Sequence, residues 1–500
     1  MTLALYASLF LVATCGLVYE LVAGALASYL LGDTVLQFST VIGAYLFAMG
    51  VGSWASRYVG RGLVARFVQI EILVGLVGGF SSTLLFLAFA HVAGFRILLY
   101  LIVFIVGALV GLEIPLMMRI LRDRLEFKDL VSQVLTMDYL GALIASVLFP
   151  LVLVPRLGLL NTALFFGLVN VGVAAATLWL LRDEIPRKSG LGASCAAAAL
   201  ALTLGLVFSS HIAARAEGDM YADEVIFART TRYQRLVLTR WKDDWRLFLN
   251  GSLQFSTMDE YRYHEALVHP ALSAHRAPRA VLILGGGDGL AAREVLRDPR
   301  VGHVTLVDLD PEMTRLFSQH EMLSRLNGHA LTDARTTVVN ADAFRWLEDN
   351  DRRFDVVIVD FPDPSNYAVG KLFTTAFYRL LRRRLAPGGV VSVQATSPLF
   401  ARTTFWTVVA TMDAGGFQTS PYHAYVPSFG EWGFVIGATA PYKVPERFPS
   451  GLRYLTPEIA RGLFDFPADM SRVPAEANRL DTQILVQQYE REWARINHGG

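Results

Sequence analysis

Five aspartates stand where a sheet could bring them together. Each follows a short apolar run: Ala280–Leu284 leads to Asp288, His303–Val307 to Asp308, Thr336–Val339 to Asp342, and Phe354–Val359 to Asp360 and Asp363. One acid after a strand is commonplace, but five at one rim form a site for a positively charged ligand. The first run opens into Gly285, Gly286, Gly287, Asp288 and Gly289, a loop in which backbone can approach a ligand closely. Such loops serve dehydrogenases, methyltransferases and others alike. Asp308 lies 23 residues after Gly285, the usual reach of a carboxylate that accepts from both ribose hydroxyls. Asp288, inside the loop, would repel a pyrophosphate. It suits a cation instead, such as a sulfonium nucleoside bearing an amine. Asp342 is placed to accept from an adenine amino group.

The elements that carry these residues alternate. A helical segment, Ala291–Arg297, separates the first two runs, and another, Thr374–Leu385, leads through Pro387-Gly388-Gly389 to a fifth strand, Val390–Gln394. Strand–helix alternation at this spacing predicts a parallel doubly wound sheet, whose ligands sit beyond the carboxyl ends of its strands. Ahead of it, Val225–Ala228, Arg235–Thr239 and Arg246–Leu249 read as strands, with Asn250-Gly251 as a hairpin turn. The chemistry such a rim suits is attack by an amine on a carbon beside a sulfonium. A carboxylate there binds the incoming ammonium and takes its proton, while placement lowers much of the remaining barrier. No metal is required.

Composition splits the 500 residues in two. Charged residues make up 18% of the chain, but only 22 fall in residues 1–210, against 67 in 211–500. Mean hydropathy is +0.40. A fully soluble protein, a disordered one and a collagen-like one are excluded. The net charge of +1 gives no support for nucleic-acid binding, and two cysteines, Cys15 and Cys195, make no disulfide scaffold. Seven apolar runs, near 3–31, 36–56, 67–90, 95–118, 134–154, 158–181 and 190–209, are long enough to span a bilayer. The first lacks a basic start and is too long for a signal peptide; at 29 residues it predicts a tilted or broken helix. Glu20, Glu113 and Asp138 fall in or near apolar runs, and such acids often mark a polar pathway. Gly50, Gly52 and Ser53 suit close helix packing.

Ten Lys and Arg occupy the even-numbered loops, between Arg57 and Lys188, and two, Arg96 and Arg156, the alternate ones. That bias puts the N-terminus in the cytoplasm. Seven crossings would then send residues 211–500 outside, and six would keep them in the cytoplasm. The expectation is six, with the first or last run at an interface or re-entrant.

The residues of 225–440 resemble the spermidine synthase family of polyamine aminopropyltransferases. The resemblance rests on Tyr233-Gln234 in a strand, Asp259-Glu260 with Tyr263-His264-Glu265, and Leu282 through Gly289. It continues through Asp308, Asp342, Asp360-Phe361-Pro362-Asp363-Pro364, Leu372-Phe373 and Gln394. The apolar half and the tail Asn478-Arg479-Leu480-Asp481 are similar to a branch in which this domain is fused to membrane helices. The resemblance implies transfer of an aminopropyl group from decarboxylated S-adenosylmethionine to an amine, releasing methylthioadenosine, with no tightly bound cofactor. It implies Asp360 as proton acceptor, Asp308 on the ribose, Asp342 and Ala343 on the adenine, and Asp288 on the donor's amine. Gln234, Tyr263, His264, Asp363 and Gln394 would line the polyamine groove. Three departures fall mainly on the acceptor side: Phe429 for a usual Tyr, Thr396 for a usual Glu, and Asn366-Tyr367-Ala368 where a proline is usual.

The resulting expectation is a multi-spanning α-helical membrane domain (1–210), a linker and β-strand subdomain (211–280, the linker near 211–222), a Rossmann-like, methyltransferase-type doubly wound sheet (281–440) and a C-terminal tail (441–500). The expected partners are a polyamine or other amine and the lipid bilayer, with further copies of the chain allowed and nucleic acid not. The catalytic domain is expected at the cell membrane, on its cytoplasmic side. Two other functions compete: an enzyme acting on intact S-adenosylmethionine, as methyltransferase or lyase, and a non-enzymatic membrane carrier or sensor of polyamines.

Overall fold

The computed structural model describes residues 2–31, 34–89, 91–92, 94–122, 126–185 and 188–497. They form two units, Met1–Ala222 and Asp223–Gly500. The first unit is built from α1 (Thr2–Leu31), α2 (Thr34–Ala55), α3 (Leu63–Phe89), α4 (Phe95–Leu121), α5 (Phe127–Leu148), α6 (Val154–Leu180) and α7 (Lys188–Met220). Among the described residues six helical stretches are long and apolar enough to cross a membrane, and the fifth, Lys128–Leu180, is 53 residues long. At about 1.5 Å per residue it would measure ~80 Å, more than twice a hydrocarbon core of ~30 Å. It is interrupted instead. Phe149–Leu153 is a π-helical stretch containing Pro150, and Gly158 leaves helical geometry at φ 75°, ψ 173°. The first run, expected to be tilted or broken, is one continuous helix packed against α2, α3, α4, α5 and α6. Residues 211–220, expected as linker, continue α7; the Ala-rich stretch there favours helix.

Close packing does fall on small residues. A Cβ at Gly52 would lie 2.0 Å from the Ala108 carbonyl oxygen and one at Gly111 2.2 Å from that of Met49, so α2 and α4 touch backbone to backbone, whereas Gly50 faces open space. Glu20 and Glu113 are buried and Asp138 half-buried. Glu71, which sequence reading passed over, is fully buried on α3. The Asn170 amide donates to its Oε2 at 2.8 Å, and the Tyr19 hydroxyl donates to Asn170 Oδ1 at 3.2 Å.

The second unit opens with an antiparallel sheet in sequence order: β1 (Glu224–Thr230), β2 (Arg235–Trp241), β3 (Asp244–Leu249) and β4 (Ser252–Ser256). Asn250 and Gly251 turn between β3 and β4 with φ of 50° and 82°, the positive pair of a type I′ hairpin. Tyr233 and Gln234, expected in a strand, lie in the β1–β2 turn. Helix α8 (Glu260–Ala274) leads to the larger sheet, which alternates β5 (Ala280–Gly285), α9 (Leu290–Leu296), β6 (His303–Asp308), α10 (Pro311–Gln319), α11 (Glu321–Leu326), β7 (Thr336–Asn340), α12 (Ala343–Asp349) and β8 (Phe354–Asp360). It continues through α13 (Tyr367–Gly370), α14 (Thr375–Arg383), β9 (Leu385–Gln394), α15 (Arg402–Ala414), β10 (Gln418–Val426) and β11 (Gly430–Ala438), with α16 (Pro457–Gly462) and α17 (Ile484–Asn497) in the tail.

The strand order is β10-β11-β9-β8-β5-β6-β7. β5 to β9 pair in parallel, while β11 runs antiparallel to both β9 and β10. The sheet is therefore mixed rather than wholly parallel. Its central strands bury both faces: Val281, Ile283, Val356 and Ile358 pack on one side, Leu282, Leu284, Val357 and Val359 on the other. That is why they read as unbroken apolar runs. The chain winds outward from β5 to β7, then returns to β8 on the other side of β5. This reversal makes the β5/β8 crevice the topological switch point.

Candidate active site

At the switch point Gly285 is in register with Asp360. Gly285 has φ 82°, and a Cβ there would stand 2.1 Å from the Asp360 carbonyl oxygen, so no side chain fits. The Gly286 N–H donates to that same oxygen at 3.2 Å. The Gly287 N–H donates to Asp308 Oδ2 at 3.1 Å, and Asp308 Oδ1 accepts from the Asp310 N–H at 2.8 Å. Asp288 turns its Oδ1 onto the Leu290 N–H at 2.9 Å, and Gly289 caps α9 at φ 79°. The glycine loop thus ties the ends of β5, β6 and β8 together.

Four carboxylates converge there, and burial raises each. Desolvation pushes Asp308 up to about 7, and Asp288 and Asp363 each to about 6. Asp360 is raised too, against the opposing charge of His264 and a hydrogen bond from Tyr263. The Tyr263 hydroxyl donates to Asp360 Oδ1 at 2.7 Å. Its ring packs on His264, Phe429 and Phe434. Asp363 accepts from Thr396 Oγ1 at 3.0 Å and from Gln394 Nε2 at 3.3 Å, and the nearby Tyr489 favours its charged form. Gln394 also donates to the Phe361 carbonyl at 2.5 Å, and its Oε1 accepts from the Thr396 N–H and the Trp432 indole. Thr396 is buried at φ 61°, an unusual conformation for a β-branched residue and a common mark of functional loops.

His264 supplies positive charge to this rim. Its Nδ1 faces the Glu260 carbonyl oxygen at 2.8 Å and Glu260 Oε2 at 3.0 Å, so that nitrogen carries a proton. Arg293 grips Glu260 through both guanidinium amines at 2.9 and 2.8 Å and donates its Nε to Glu294 at 2.9 Å. Burial works against both partners, but the pairing prevails: His264 is raised to about 9 and Glu260 lowered to about 2.

Three expected site residues stand at the flanks. Asp342 caps α12, accepting from the Phe344 and Arg345 N–H groups, and its Oδ2 takes an ion pair from Lys371 at 2.5 Å. Burial opposes ionisation there, but these donors hold the group below the ordinary carboxylate range. Ala343 is buried beside it, and the backbone of Ala341 ties this segment to Asp308 at 3.0 Å. Gln234 donates to Asp310 Oδ2 at 3.1 Å, which also takes the Thr231 hydroxyl. Asp310 thereby joins the small sheet to the rim. Asp259 clamps the loop carrying Phe429, accepting from the Ser428 N–H at 2.6 Å and its hydroxyl at 2.9 Å. Glu265 serves structure instead: its carboxylate accepts from the N–H groups of Arg453, Tyr454 and Leu455.

Sequence reasoning assigned no role to Glu260, Arg293, Lys371, Trp432 or Tyr489. Only Glu260 carried a local signal, its i,i+4 spacing to His264 on α8.

The fold is a doubly wound, mixed sheet with an acidic rim at its switch point. The spermine/spermidine synthase domain family matches residues 260–446. Over 496 residues the chain is 53% identical to a polyamine aminopropyltransferase of Leptospira interrogans, covering 99% of this chain and 100% of that one. It is 55% identical to polyamine aminopropyltransferase 2 of Ralstonia nicotianae, covering 97% of each. A spermidine synthase solved with the transition-state analogue AdoDATO aligns at 25% identity and a TM-score of 0.46, over 49% of this chain and 86% of that one. The chain belongs to the polyamine aminopropyltransferase family and is a transferase.

The His264–Glu260 pair sets a pH dependence. Glu260's contribution is complete above its ordinary value of 4.5 and lost as pH falls through about 2. That of His264 is complete below its ordinary value of 6.5 and lost as pH rises through about 9. The pair is thus fully stabilising between those ordinary values, and the alkaline loss amounts to about 3 kcal/mol. Thermal unfolding of the full chain in detergent should show stability falling between pH 6.5 and 9. In Glu260→Gln that slope should flatten. An unchanged slope would locate the alkaline loss elsewhere.

Proposed function

We propose that this protein moves the aminopropyl group of decarboxylated S-adenosylmethionine to a polyamine or another amine. The observation that carries the reading is the convergence of Asp288, Asp308, Asp360 and Asp363 at one switch point, each raised by burial. Asp288 is buried and the other three are half-buried, and carboxylates in that number call for cationic ligands. A donor with a sulfonium and an amine, and an acceptor arriving as an ammonium, supply such charge.

In this reading Asp308 holds the ribose hydroxyls, Asp342 and Ala343 meet the adenine, and Asp288 takes the donor's amine. The glycine loop brings backbone against the nucleoside. Gln234, Tyr263, His264, Asp363 and Gln394 line the acceptor side. Asp360, its carboxylate oriented by Tyr263, takes one proton from the acceptor's ammonium and leaves a neutral amine. The nitrogen's lone pair then forms a bond to the aminopropyl carbon on sulfur. The carbon–sulfur bond breaks, its electron pair remains on sulfur, and the neutral thioether methylthioadenosine leaves. The product nitrogen carries the positive charge as a secondary ammonium. His264 moderates the negative charge of the rim, which helps Asp288 and Asp360 remain ionised while the ligands enter.

The helical unit, in the same proposal, holds the chain in a lipid bilayer. Leu46, Phe47, Ile97, Leu143 and Trp179 are exposed on it, as lipid contact requires. The loop charges put the N-terminus in the cytoplasm. A catalytic unit on the side where its donor is made then needs an even number of crossings. Of the two runs expected not to cross fully, the enclosure of α1 by five neighbours favours α7.

Product analysis tests the chemistry. Decarboxylated S-adenosylmethionine with a panel of amines should yield methylthioadenosine and an aminopropylated amine. Preference for intact S-adenosylmethionine would mean a methyltransferase or lyase, and binding of polyamines without turnover a carrier or sensor. Asp360→Asn should lower the rate by about two to four orders of magnitude, the usual worth of a general base, while donor affinity changes far less. Near-normal turnover would remove Asp360 from that role. For sidedness, single cysteines at Arg182 and Arg240, both exposed, can be probed in intact cells, the native Cys15 and Cys195 being buried. Both should be protected from an impermeant thiol reagent. Labelling at position 240 but not 182 would put the catalytic unit outside.

A further inference from the structure

The tail carries a motif that the reaction described above leaves unused. Of Asn478-Arg479-Leu480-Asp481, Arg479 and Asp481 pair with each other at the surface, and Leu480 is exposed. Asn478 alone is fully buried, and each of its polar groups is engaged. Its N–H donates to Thr411 Oγ1 at 2.8 Å, and its carbonyl accepts from the Thr375 N–H at 3.0 Å. Its side-chain amide donates to the carbonyls of Phe373 at 2.9 Å and Gly370 at 3.4 Å, while its Oδ1 accepts from the Leu485 N–H at 3.3 Å. Gly370 lies so close beneath the tail that a Cβ there would stand 2.5 Å from Val486 Cγ2 and 2.9 Å from Gln483 Oε1. The Lys371 carbonyl, next along the chain, accepts the Thr374 hydroxyl at 2.8 Å. The turn Lys371–Phe373, between α13 and α14, is therefore held by its carbonyls, and Asn478 supplies the hold from the tail.

From that turn Lys371 reaches Asp342, Nζ to Oδ2 at 2.5 Å. The other carboxylate oxygen, Oδ1, accepts from the N–H groups of Phe344 and Arg345 at 2.9 and 3.3 Å. The two side chains remain 33% and 26% exposed, and an ion pair so open adds little to stability. What it fixes is direction: α12 holds one oxygen and Lys371 the other, so the carboxylate cannot rotate. A lysine head on its flexible stem is placed only as well as the backbone beneath it, and here that backbone is the turn that Asn478 holds. We propose that Lys371 and Asn478 are positioning residues of the nucleoside side: Lys371 orients Asp342 toward the adenine amino group, and Asn478 locks the turn that aims Lys371. The inference rests on the aminopropyl-transfer reading for the adenine at Asp342, and extends the donor site to the tail. An ionised carboxylate oxygen accepts more than one donor, so Oδ2 can take an adenine N–H beside the Lys371 ammonium.

Calorimetry with methylthioadenosine on the full chain in detergent tests this without turnover. Lys371→Met should weaken binding about tenfold, as expected for losing a hydrogen bond to a charged group, and Lys371→Arg should recover much of the loss. Asn478→Ala should weaken it about threefold, the worth of a neutral hydrogen bond. In the double variant with Lys371→Met, the Asn478 change should add nothing, because it acts through Lys371. Should Asn478→Ala fail to fold, Thr374→Val takes its place in the cycle, since it frees the Lys371 carbonyl. Glu492→Gln is the structural comparison: Glu492 docks the tail on α15, accepting from the Thr403 N–H at 2.9 Å and the Thr404 hydroxyl at 2.7 Å, and its loss should leave nucleoside affinity at wild type. In steady-state kinetics the donor KM should follow these shifts, with little change in kcat or in the acceptor KM. Wild-type affinity in Lys371→Met would overturn the proposal. So would additive losses in the double variant, or an equal loss in Glu492→Gln. The expected pattern of binding in a protein that transfers no aminopropyl group would uphold this inference and remove the transfer reading alone.

Discussion

The register of β5 against β8 is the constraint on which the catalytic unit depends. It sets Gly285 beside Asp360, and the backbone contact is so close that a side chain at 285 is impossible. From that contact the glycine loop reaches Asp308 on one side, while Asp360 meets Tyr263 on the other. A slip of one residue would reverse the faces of β8 and turn Asp360 away from the loop. The unbroken burial of both sheet faces prevents such a slip, since each strand must fit two cores at once.

Charge is the second layer. A rim of partly buried carboxylates is disfavoured without a nearby cation. The molecule places the cation on α8 and stabilises it from behind: Arg293 steadies Glu260, and Glu260 keeps His264 charged. Breaking a buried pair of this kind by removing one partner generally costs more than the pair contributes over an apolar replacement. The chain from Arg293 to Asp360 is therefore best understood as a device for holding an electrostatic field.

Much of this was legible in the sequence because it is local. Glycines before a helix and acids after apolar runs follow short-range rules, and the alternation of strand and helix implied a doubly wound sheet with its ligands beyond the strand ends. The hairpin turn at Asn250-Gly251 was legible for the same reason. What escaped reading was set by distance along the chain. Lys371 reaches Asp342 across 29 residues, and nothing near either marks the pair. Tyr489 is one tyrosine on an amphipathic helix until the tail folds back. The antiparallel β10 and β11 escaped because period-two patterning does not reveal strand direction. Gln234 was placed in a strand by the family resemblance, whereas the strand read from the residues, like the observed β2, begins at Arg235. Among the helices, Glu71 was hidden in an apolar run, and only its neighbour Asn170 on α6 gives it meaning.

The wrapped tail also bears on the order of assembly. The catalytic unit closes through contacts distant in sequence: Glu265 captures the backbone of residues 453–455, Asn478 locks onto Phe373, and Glu492 caps α15 at Thr403. Each closes a long loop, whose entropy must be overcome before the contact stabilises anything. The central sheet can therefore gather before the tail is in place. During that interval the partly folded unit exposes apolar sheet edges, a state prone to mispairing. The polar clamps of the tail act on folding as a late checkpoint.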